Sequence, residues 1–235
     1  MKYKRVLLKL SGESLMGEND SGIASEQLEQ YVSDIAHLHN KNIQIAIVIG
    51  GGNIFRGLTG VSDGFDRVTG DKMGMLATTI NSMAFQSALD NAGLKSSLFT
   101  AIHMPAIGPV FNAKAVIDQI EKQRIVILAG GTGNPYFSTD TASALRALEI
   151  KADVFLKGTR VDGVYSDDPE KNPDAIKYHS LSFEEAWNKK LHIMDLTAFT
   201  LCQENNLPVI VFNMNKKNTL VKVISDPNIG TLIHN

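Results

Sequence analysis

Residues 43–53 of the chain read IQIAIVIGGGN, an almost unbroken apolar run that ends in three glycines. A strand that is apolar on both faces is typical of a parallel sheet covered by helices on both sides. Glycines at the carboxyl end of such a strand let the backbone turn sharply and approach a ligand closely. The stretch therefore predicts a buried parallel strand followed by a ligand-binding turn.

The same pattern recurs at three other places. Apolar runs that lead into glycine occupy residues 6–12, 125–134 and 154–159, with the sequences VLLKLSG, IVILAGGTGN and VFLKGT. Because the carboxyl ends of parallel strands meet at one edge of a sheet, we expect these turns to lie together. Backbone N–H groups in such turns bind anions, and Lys9 and Lys157 stand close to two of them. The pattern favours a phosphate-bearing ligand.

Amphipathic segments with helical spacing separate the apolar runs. The predicted helices are 25–40, 71–91 with a stop at Gly93, 112–123 capped by Asn112, 139–150, 182–189 and 196–205. Further strands are predicted at 97–101, 209–212 and 231–233, and residues 166–178 break the periodicity. We therefore predict an α/β protein, a three-layer αβα sandwich around a mostly parallel central sheet. One continuous sheet would carry two lobes, residues 1–150 and 151–235.

Composition narrows the class of protein. The chain has 235 residues, 43% hydrophobic and 20% charged, which is typical of a globular domain. The formal charge of −2 offers no basic surface for nucleic acid or an anionic membrane, and no apolar run could span a bilayer. We expect a cytoplasmic protein. The single cysteine, Cys202, excludes an internal disulfide, and its apolar helical setting predicts a buried structural thiol.

Common phosphate-binding motifs are absent. No glycine is followed by lysine, so the chain has no P-loop. Phe55 stands where a dinucleotide fingerprint would have its third glycine, and neither DFG nor HRD occurs, which excludes an ordinary protein kinase. Phosphate chemistry here would need a different set of groups.

Phosphoryl transfer needs positioning, cations against the phosphate oxygens and a metal ion. Lys9, Arg56 and Lys157 are the candidate cations, while Gly51 and Gly52 are candidate backbone donors.

Two aspartates have a functional and a structural interpretation. Asp140 could orient a lysine or hold a hydrated Mg²⁺, or it could simply cap the N-terminus of a helix, and the same helix-cap alternative applies to Asp71. Lys9 could be an edge-strand lysine, but its neighbours Leu8 and Leu10 favour a buried strand.

With these residues the sequence resembles the bacterial uridylate (UMP) kinases of the amino acid kinase superfamily. The matching segments run in order along essentially the whole chain. They are YKRVLLKLSGESL (3–15), IVIGGGNIFRG (47–57), GDKMGMLATTIN (70–81), AGGTGNPYFSTDTASALRALEI (129–150), LKGTRVDGVYSDDP (156–169), MDLTAFTLC (194–202) and LPVIVFNMN (207–215). The combination of TGNPYFSTD with GDKMGMLAT is specific to the UMP-using branch, whereas VDGVYSDDP is shared more widely.

The resemblance implies an amino acid kinase-like fold and Mg²⁺-dependent transfer of the γ-phosphoryl group of ATP to UMP, giving UDP and ADP. The UMP phosphate is itself the nucleophile, so no general base is expected. Two alternatives stay open: an amino-acid kinase of the superfamily, whose acceptor is a carboxylate, and a noncatalytic nucleotide-binding module.

The resemblance also implies roles for individual residues. For ATP binding these are Lys9, Leu10, Ser11, Gly12, Gly52, Arg56, Lys157, Thr159, Tyr165 and Asp168. For UMP binding they are Gly51, Asp71, Thr132, Gly133, Asn134, Pro135, Tyr136, Phe137, Ser138 and Thr139. The catalytic set is Lys9, Arg56, Asp140 and Asp195, with Asp140 reaching the metal through water.

Assembly and regulation follow from the same resemblance. It implies a homohexamer inhibited by UTP, and the apolar residues Met73, Met83, Ala84 and Leu89 would serve either a dimer contact or the core. Many relatives are activated by GTP through arginines and a histidine. Residues 73–123 contain no arginine, and Gln86 and Asp90 occupy positions where those relatives carry basic groups, which argues against GTP activation.

Overall fold

An eight-stranded sheet runs through the protein, whose computed structural model describes residues 2–55 and 64–235. Its strands are β1 (Arg5–Leu10), β2 (Gln44–Ile49), β3 (Ser96–Thr100), β4 (Ile125–Ala129), β5 (Val154–Thr159), β8 (Ser180–Ser182), β9 (Val209–Asn213) and β10 (Thr231–His234). A separate two-stranded ribbon joins β6 (Val164–Tyr165) and β7 (Lys177–Tyr178). The order in the large sheet is β3-β4-β2-β1-β5-β9-β10-β8, and its pairs are parallel except β9 with β10.

Helices cover both faces of the sheet. They are α1 (Ser25–His39), α2 (Arg67–Asn91), α3 (Ala113–Glu121), α4 (Thr139–Glu149), α5 (Phe183–Asn188), α6 (Leu196–Glu204) and α7 (Thr219–Ser225), with short 3₁₀ turns at Glu13–Leu15 and Pro227–Ile229. Apolar side chains of α1, α2 and α7 form one core, and those of α3, α4, α5 and α6 form the other. The predicted three-layer αβα sandwich is confirmed.

Strand β1 occupies the middle of this arrangement. It pairs with β2 on one side and β5 on the other, so Lys9 faces Val48 and Lys157 in register. Its side chains alternate between the two cores: Leu8 packs with the α1 side, whereas Leu7 packs with the α4 side. The alternative interpretation of Lys9 as an edge-strand lysine is therefore wrong. The sheet is continuous across β1 and β5, and its division into lobes at residue 150 stays a prediction.

Most predicted elements are confirmed to within one or two residues, but helix α2 begins earlier than predicted. Its cap is Asp66, whose carboxylate accepts the N–H groups of Val68 and Thr69 at 3.0 and 3.1 Å. The helix thus starts at Arg67 rather than Asp71, and Asp71 is not its cap. Gly93, with a φ of +75°, follows the end of the helix as predicted.

The remaining differences lie in short elements. The sequence does not predict three short elements, which are strand β8, helix α7 and the ribbon of β6 and β7. Each is too short to show a clear hydrophobic period. The residues proposed as one apolar face of α2 fall on different sides of the helix. Leu89 is fully buried in the core, whereas Met83 is 46% exposed beside the exposed side chains of Leu76 and Ile80.

Two further predictions concern membrane-spanning segments and the role of Cys202. None of the helices within residues 2–55 and 64–235 is long and apolar enough to cross a membrane. Cys202 lies on the inner face of α6 and is fully buried in the core, and burial raises the pKa of its thiol to about 12. The predicted structural role of this cysteine is confirmed.

The central position of β1 leads to a stability prediction. Leu7 is fully buried, whereas Leu232 on β10 is only partly buried. Leu7→Ala is expected to lower the free energy of unfolding by about 2–5 kcal/mol, because a cavity forms where the sheet cannot collapse. Urea unfolding followed by circular dichroism measures the loss. Leu232→Ala is the control, and an equal loss in both variants would contradict the central role of β1.

Candidate active site

Two lysines and one aspartate meet at the carboxyl edge of the sheet. Lys9 on β1 and Lys157 on β5 are direct partners in register, and Asp140, the second residue of α4, lies between them. Lys157 Nζ is 2.5 Å from Asp140 Oδ2, and Lys9 Nζ is 3.0 Å from Asp140 Oδ1. Lys157 Nζ also donates to the carbonyl of Ile193 at 2.5 Å. One carboxylate therefore bridges two ammonium groups.

Burial makes this charge arrangement strong. The side chains of Lys9, Lys157 and Asp140 are 13%, 11% and 15% exposed. Burial alone would raise the pKa of Asp140, but the two lysines outweigh it and lower this pKa to about 2. Burial, together with the nearby Lys9 charge, lowers the pKa of Lys157 despite the opposing attraction of Asp140. The two ammonium groups are suited to contact an anion that enters from the open edge.

The start of α4 is fixed by a second carboxylate. Ser138 caps this helix, so the helix-cap interpretation of Asp140 is wrong. Asp195, the cap of α6, accepts hydrogen bonds from the hydroxyls of Ser138 and Thr141 and from the Ala198 N–H, the last two at 2.7 and 3.1 Å. These contacts fall on either side of Asp140, so Asp195 ties together the starts of two helices around the charged centre.

Two glycine-containing turns are pressed together beside the lysine pair. The Leu10 carbonyl accepts the Gly50 N–H at 2.9 Å. A Cβ added to Gly12 would lie 2.6 Å from Asn53 Oδ1 and 2.7 Å from the Gly52 nitrogen, which leaves room for glycine alone. The turns after β1 and β2 therefore form one surface, with Ser11 in the first of them.

A first cleft of about 200 Å³ opens next to these turns. It brings together seven residues that the sequence assigned to the two nucleotides: Gly51, Gly52, Asp71, Thr132, Phe137, Ser138 and Thr139. Phe55, Gly74, Met75, Thr78 and Gly131 complete the lining. Among the described residues, Gly133, Asn134, Pro135 and Tyr136 belong to the same loop but lie outside this lining.

Asp71, a lining residue of this cleft, also contacts Tyr136 of the loop after β4. Its Oδ2 accepts the Tyr136 N–H at 2.7 Å and the Arg67 Nε–H at 2.8 Å. Tyr136 has a φ of +70°, an uncommon conformation for a non-glycine residue, and the Arg67 guanidinium lies 5.3 Å from its ring centre. Asp71 therefore holds the loop as well as facing the cleft, a role that its sequence position did not indicate.

A second cleft of about 550 Å³ lies beside Lys157. Its lining includes Lys157, Thr159, Tyr165 and Asp168. The Tyr165 hydroxyl donates to Asp162 Oδ1 at 2.5 Å, and this bond helps raise the pKa of Tyr165 to about 12.

Asp168 is bound within its own loop. Its carboxylate accepts the Glu170 N–H at 3.0 Å and pairs with Lys171 at 3.3 Å. One cleft thus holds the four residues after position 150 that were predicted to bind ATP, namely Lys157, Thr159, Tyr165 and Asp168. Arg56, predicted for both ATP binding and catalysis, lies outside the described residues.

A larger groove of about 630 Å³ lies beside α5 and α6, but it is a poorer candidate. Its lining is mainly apolar, and Trp187 and Leu196 within it are each 58% exposed. Among the residues that the structure describes, Asp195 is the one predicted site residue in its lining. Gly51 and Gly52 line the first cleft and Lys157 lines the second, so those clefts carry the candidate chemistry.

The sequence missed several residues that shape the site. Thr78 and Asn81 on α2, Asn53 after β2 and Arg67 all bind atoms of the turns or of the cleft rim. For Thr78 and Asn81 the signal was present in the segment GDKMGMLATTIN, where buried polar residues lie three apart on the helix.

Comparison with known proteins agrees with this geometry. A sequence profile described as the amino acid kinase family matches residues 4–213. The uridylate kinase of Bacteroides thetaiotaomicron is 56% identical over 234 residues, covering 100% of this chain and 99% of that protein. The uridylate kinase of Porphyromonas gingivalis is 52% identical, covering 99% of this chain and 98% of that protein.

Solved structures show the same likeness. The crystal structure of UMP kinase from Bacillus anthracis aligns with a TM-score of 0.96 at 34% identity, covering 100% of this chain and 97% of that one. The UMP kinase from Ureaplasma parvum aligns with a TM-score of 0.94 at 36% identity, and both chains are covered completely. These matches confirm the resemblance seen in the sequence, and the chain belongs to the amino acid kinase family.

Proposed function

We propose that the protein is a UMP kinase that transfers the γ-phosphoryl group of ATP to UMP, giving UDP and ADP. The observation that carries this proposal is the Asp140-bridged pair of Lys9 and Lys157. Lys157 lines the second cleft, and Thr139, the neighbour of Asp140, lines the first. Relatives at 52–56% identity over the full chain are uridylate kinases, which supports UMP as the acceptor.

The charged centre suits phosphoryl transfer. The transferring group spreads negative charge over its equatorial oxygens, and fixed cations lower the energy of that state. Lys9 is the cation proposed to contact the moving group, with Asp140 holding its ammonium in place. Because the UMP phosphate is the nucleophile, the reaction requires no general base.

The first cleft is the proposed UMP site. A carboxylate is a double acceptor suited to ribose hydroxyls, and Asp71 supplies one at the cleft floor. Gly51 and the loop from Thr132 to Thr139 would enclose the base and the phosphate. The N-terminus of α4, which follows this loop, adds favourable dipole interaction with an anion.

The second cleft is the proposed ATP site. Tyr165 offers a flat apolar ring to adenine, with Thr159 and Asp168 beside it. Leu10, Ser11, Gly12 and Gly52 would place backbone atoms near the phosphates, with Lys9, Arg56 and Lys157 as cations. Residues 1–150 would then serve chiefly UMP, and residues 151–235 chiefly ATP.

A magnesium ion fits this site only in a hydrated form. Within the described residues no three acidic, histidine or cysteine side chains gather as a ligand set. Asp140 is the carboxylate at the centre, and its two oxygens pair with Lys9 and Lys157. The ATP phosphates would supply most of the ligands, with Asp140 reaching the ion through water. When bound, the ion neutralises phosphate charge.

Assembly and regulation are proposed from the family resemblance. We propose a cytoplasmic homohexamer that UTP inhibits at the UMP site and that GTP does not activate. Asp90, where relatives carry a basic group, accepts a hydrogen bond from the Ser96 hydroxyl at 2.8 Å, so its carboxylate serves a local contact.

Removing the Lys9 charge tests the catalytic centre. Lys9→Met is expected to reduce kcat for UMP phosphorylation by roughly 10²–10³-fold, by analogy with losing one charge-stabilising donor. Lys157 still pairs with Asp140 in this variant, so the fold should persist. ADP release from MgATP with UMP measures the rate, with Lys41→Met on the exposed turn after α1 as the matched control. Near-wild-type turnover in folded Lys9→Met protein would reject the assigned role.

A substitution at Asp71 tests whether UMP, and not an alternative acceptor, occupies the first cleft. Asp71→Asn is expected to raise the KM for UMP about tenfold or more, because a hydrogen bond to a charged group is lost. The KM for ATP should change little. Asp118→Asn on the exposed side of α3 is the control for removing a carboxylate.

The acceptor assay is run with UMP, CMP, dTMP, N-acetylglutamate and aspartate, each with and without GTP. Turnover of an amino acid in place of UMP would favour a carboxylate kinase. ATP binding without turnover of any acceptor would favour a noncatalytic nucleotide-binding module.

A further inference from the structure

Helix α2 packs its inner face directly against the turn that follows β2. A Cβ added to Gly51 would lie 2.8 Å from the Gly74 carbonyl oxygen, 2.9 Å from Ala77 Cβ and 3.1 Å from the Thr78 nitrogen. Backbone contact this close leaves no space for a side chain. The position of this turn is therefore set by the helix.

Thr78 connects the same helix to a second glycine turn. Its hydroxyl oxygen accepts the Gly130 N–H at 2.9 Å and donates its own hydrogen to the Met75 carbonyl at 2.7 Å. Gly130 and Gly131 have φ values of +81° and +62°, so this turn after β4 has a conformation that favours glycine. A buried side chain thus fixes the first N–H of an otherwise adaptable segment.

Asn81, one helical turn further along, holds the turn after β2. Its Nδ2 donates to the Gly50 carbonyl and to Asn53 Oδ1, both at 2.7 Å. Asn53 Nδ2 in turn donates to Asn81 Oδ1 at 3.0 Å and to the Gly22 carbonyl at 2.7 Å. The two backbone carbonyls can only accept, which fixes the orientation of both amides.

We propose that Thr78 and Asn81 are positioning residues that set the spacing of the two glycine turns. They lie three residues apart on one side of α2, and each binds a backbone atom of a different turn. Preorganised backbone donors stabilise a developing charge only when they are held in place. Through the turns, Thr78 and Asn81 of the GDKMGMLATTIN segment thereby influence phosphoryl transfer without contacting the reacting atoms.

The two residues should have different kinetic effects, an expectation that rests on the proposed function. The Gly130 turn leads into the proposed UMP loop alone. The turn after β2 contributes Gly51 to the UMP site and Gly52 to the ATP site. Loosening the Thr78 contact should weaken UMP binding, whereas loosening the Asn81 contact should disturb both nucleotides and the transfer step.

Thr78 and its neighbour Thr79 form a matched pair for the first test. Both are buried, and both hydroxyls donate to the Met75 carbonyl, but only Thr78 accepts from Gly130. Thr78→Val is expected to raise the KM for UMP about fivefold to tenfold, the effect of one lost hydrogen bond. The KM for ATP should stay within about twofold, Thr79→Val should leave both KM values within the same margin, and Thr78→Ser should restore binding. Equal KM changes in Thr78→Val and Thr79→Val would overturn the assignment.

Asn81 and Ser82 provide the second matched pair. Ser82 is fully buried, and its hydroxyl donates to the Thr78 carbonyl within the helix. Asn81→Ala is expected to lower kcat by about tenfold and to raise both KM values, since three hydrogen bonds to the turn are lost. Ser82→Ala should change these constants by less than about twofold. A fall in melting temperature without a kinetic difference between the two variants would leave Asn81 a purely structural residue and overturn the proposal.

Amide hydrogen exchange in the nucleotide-free protein tests the contacts independently of activity. Exchange at Gly130 should accelerate in Thr78→Val but not in Thr79→Val, and exchange at Gly50 and Ile54 should accelerate in Asn81→Ala. Unchanged exchange at these amides would overturn the positioning role even if the kinetics changed. Accelerated exchange in a protein that does not phosphorylate UMP would support the role of α2 and reject the proposed function.

Discussion

The carboxylate of Asp140 between the ammonium groups of Lys9 and Lys157 is the interaction on which the site depends. Two lysines on adjacent central strands would be costly to bury without a nearby anion. Strand order places them side by side, and α4 brings the aspartate to the carboxyl edge of the sheet. Ser138 and Asp195 then fix where that helix begins. The charged centre is thus held by the packing of two helices as well as by attraction.

The surroundings of this centre combine adaptable backbone with rigid support. The glycine turns bring main-chain atoms close together where a Cβ would not fit, at the cost of segments with large conformational freedom. Buried polar side chains offset that freedom: Asp71 holds Tyr136, while α2 holds the two turns. The buried Thr78 and Asn81 of α2 both make their contacts at this edge of the sheet.

Much of the fold could be predicted because its signals are local. Continuous apolar strands, helical spacing and glycines at strand ends all lie within short windows, and α3 with its Asn112 cap appeared as expected. Caps that compete within a few residues were harder to assign: Asp66 rather than Asp71 starts α2, and Ser138 rather than Asp140 starts α4. The sequence placed Lys9, Asp140 and Lys157 near one another but could not show which atoms pair. Contacts between distant segments, such as Asp71 with Tyr136, depend on the folded arrangement alone.

The burial of Cys202 has a practical consequence for labelling chemistry. It is the only cysteine of the chain, it is fully buried on the inner face of α6, and burial raises the pKa of its thiol to about 12. At neutral pH almost none of it is thiolate, the form that attacks maleimides and disulfides. A cysteine introduced on the exposed surface would therefore be the single reactive thiol of the folded protein, so a fluorophore or spin label could be attached at one chosen position without first replacing the native residue.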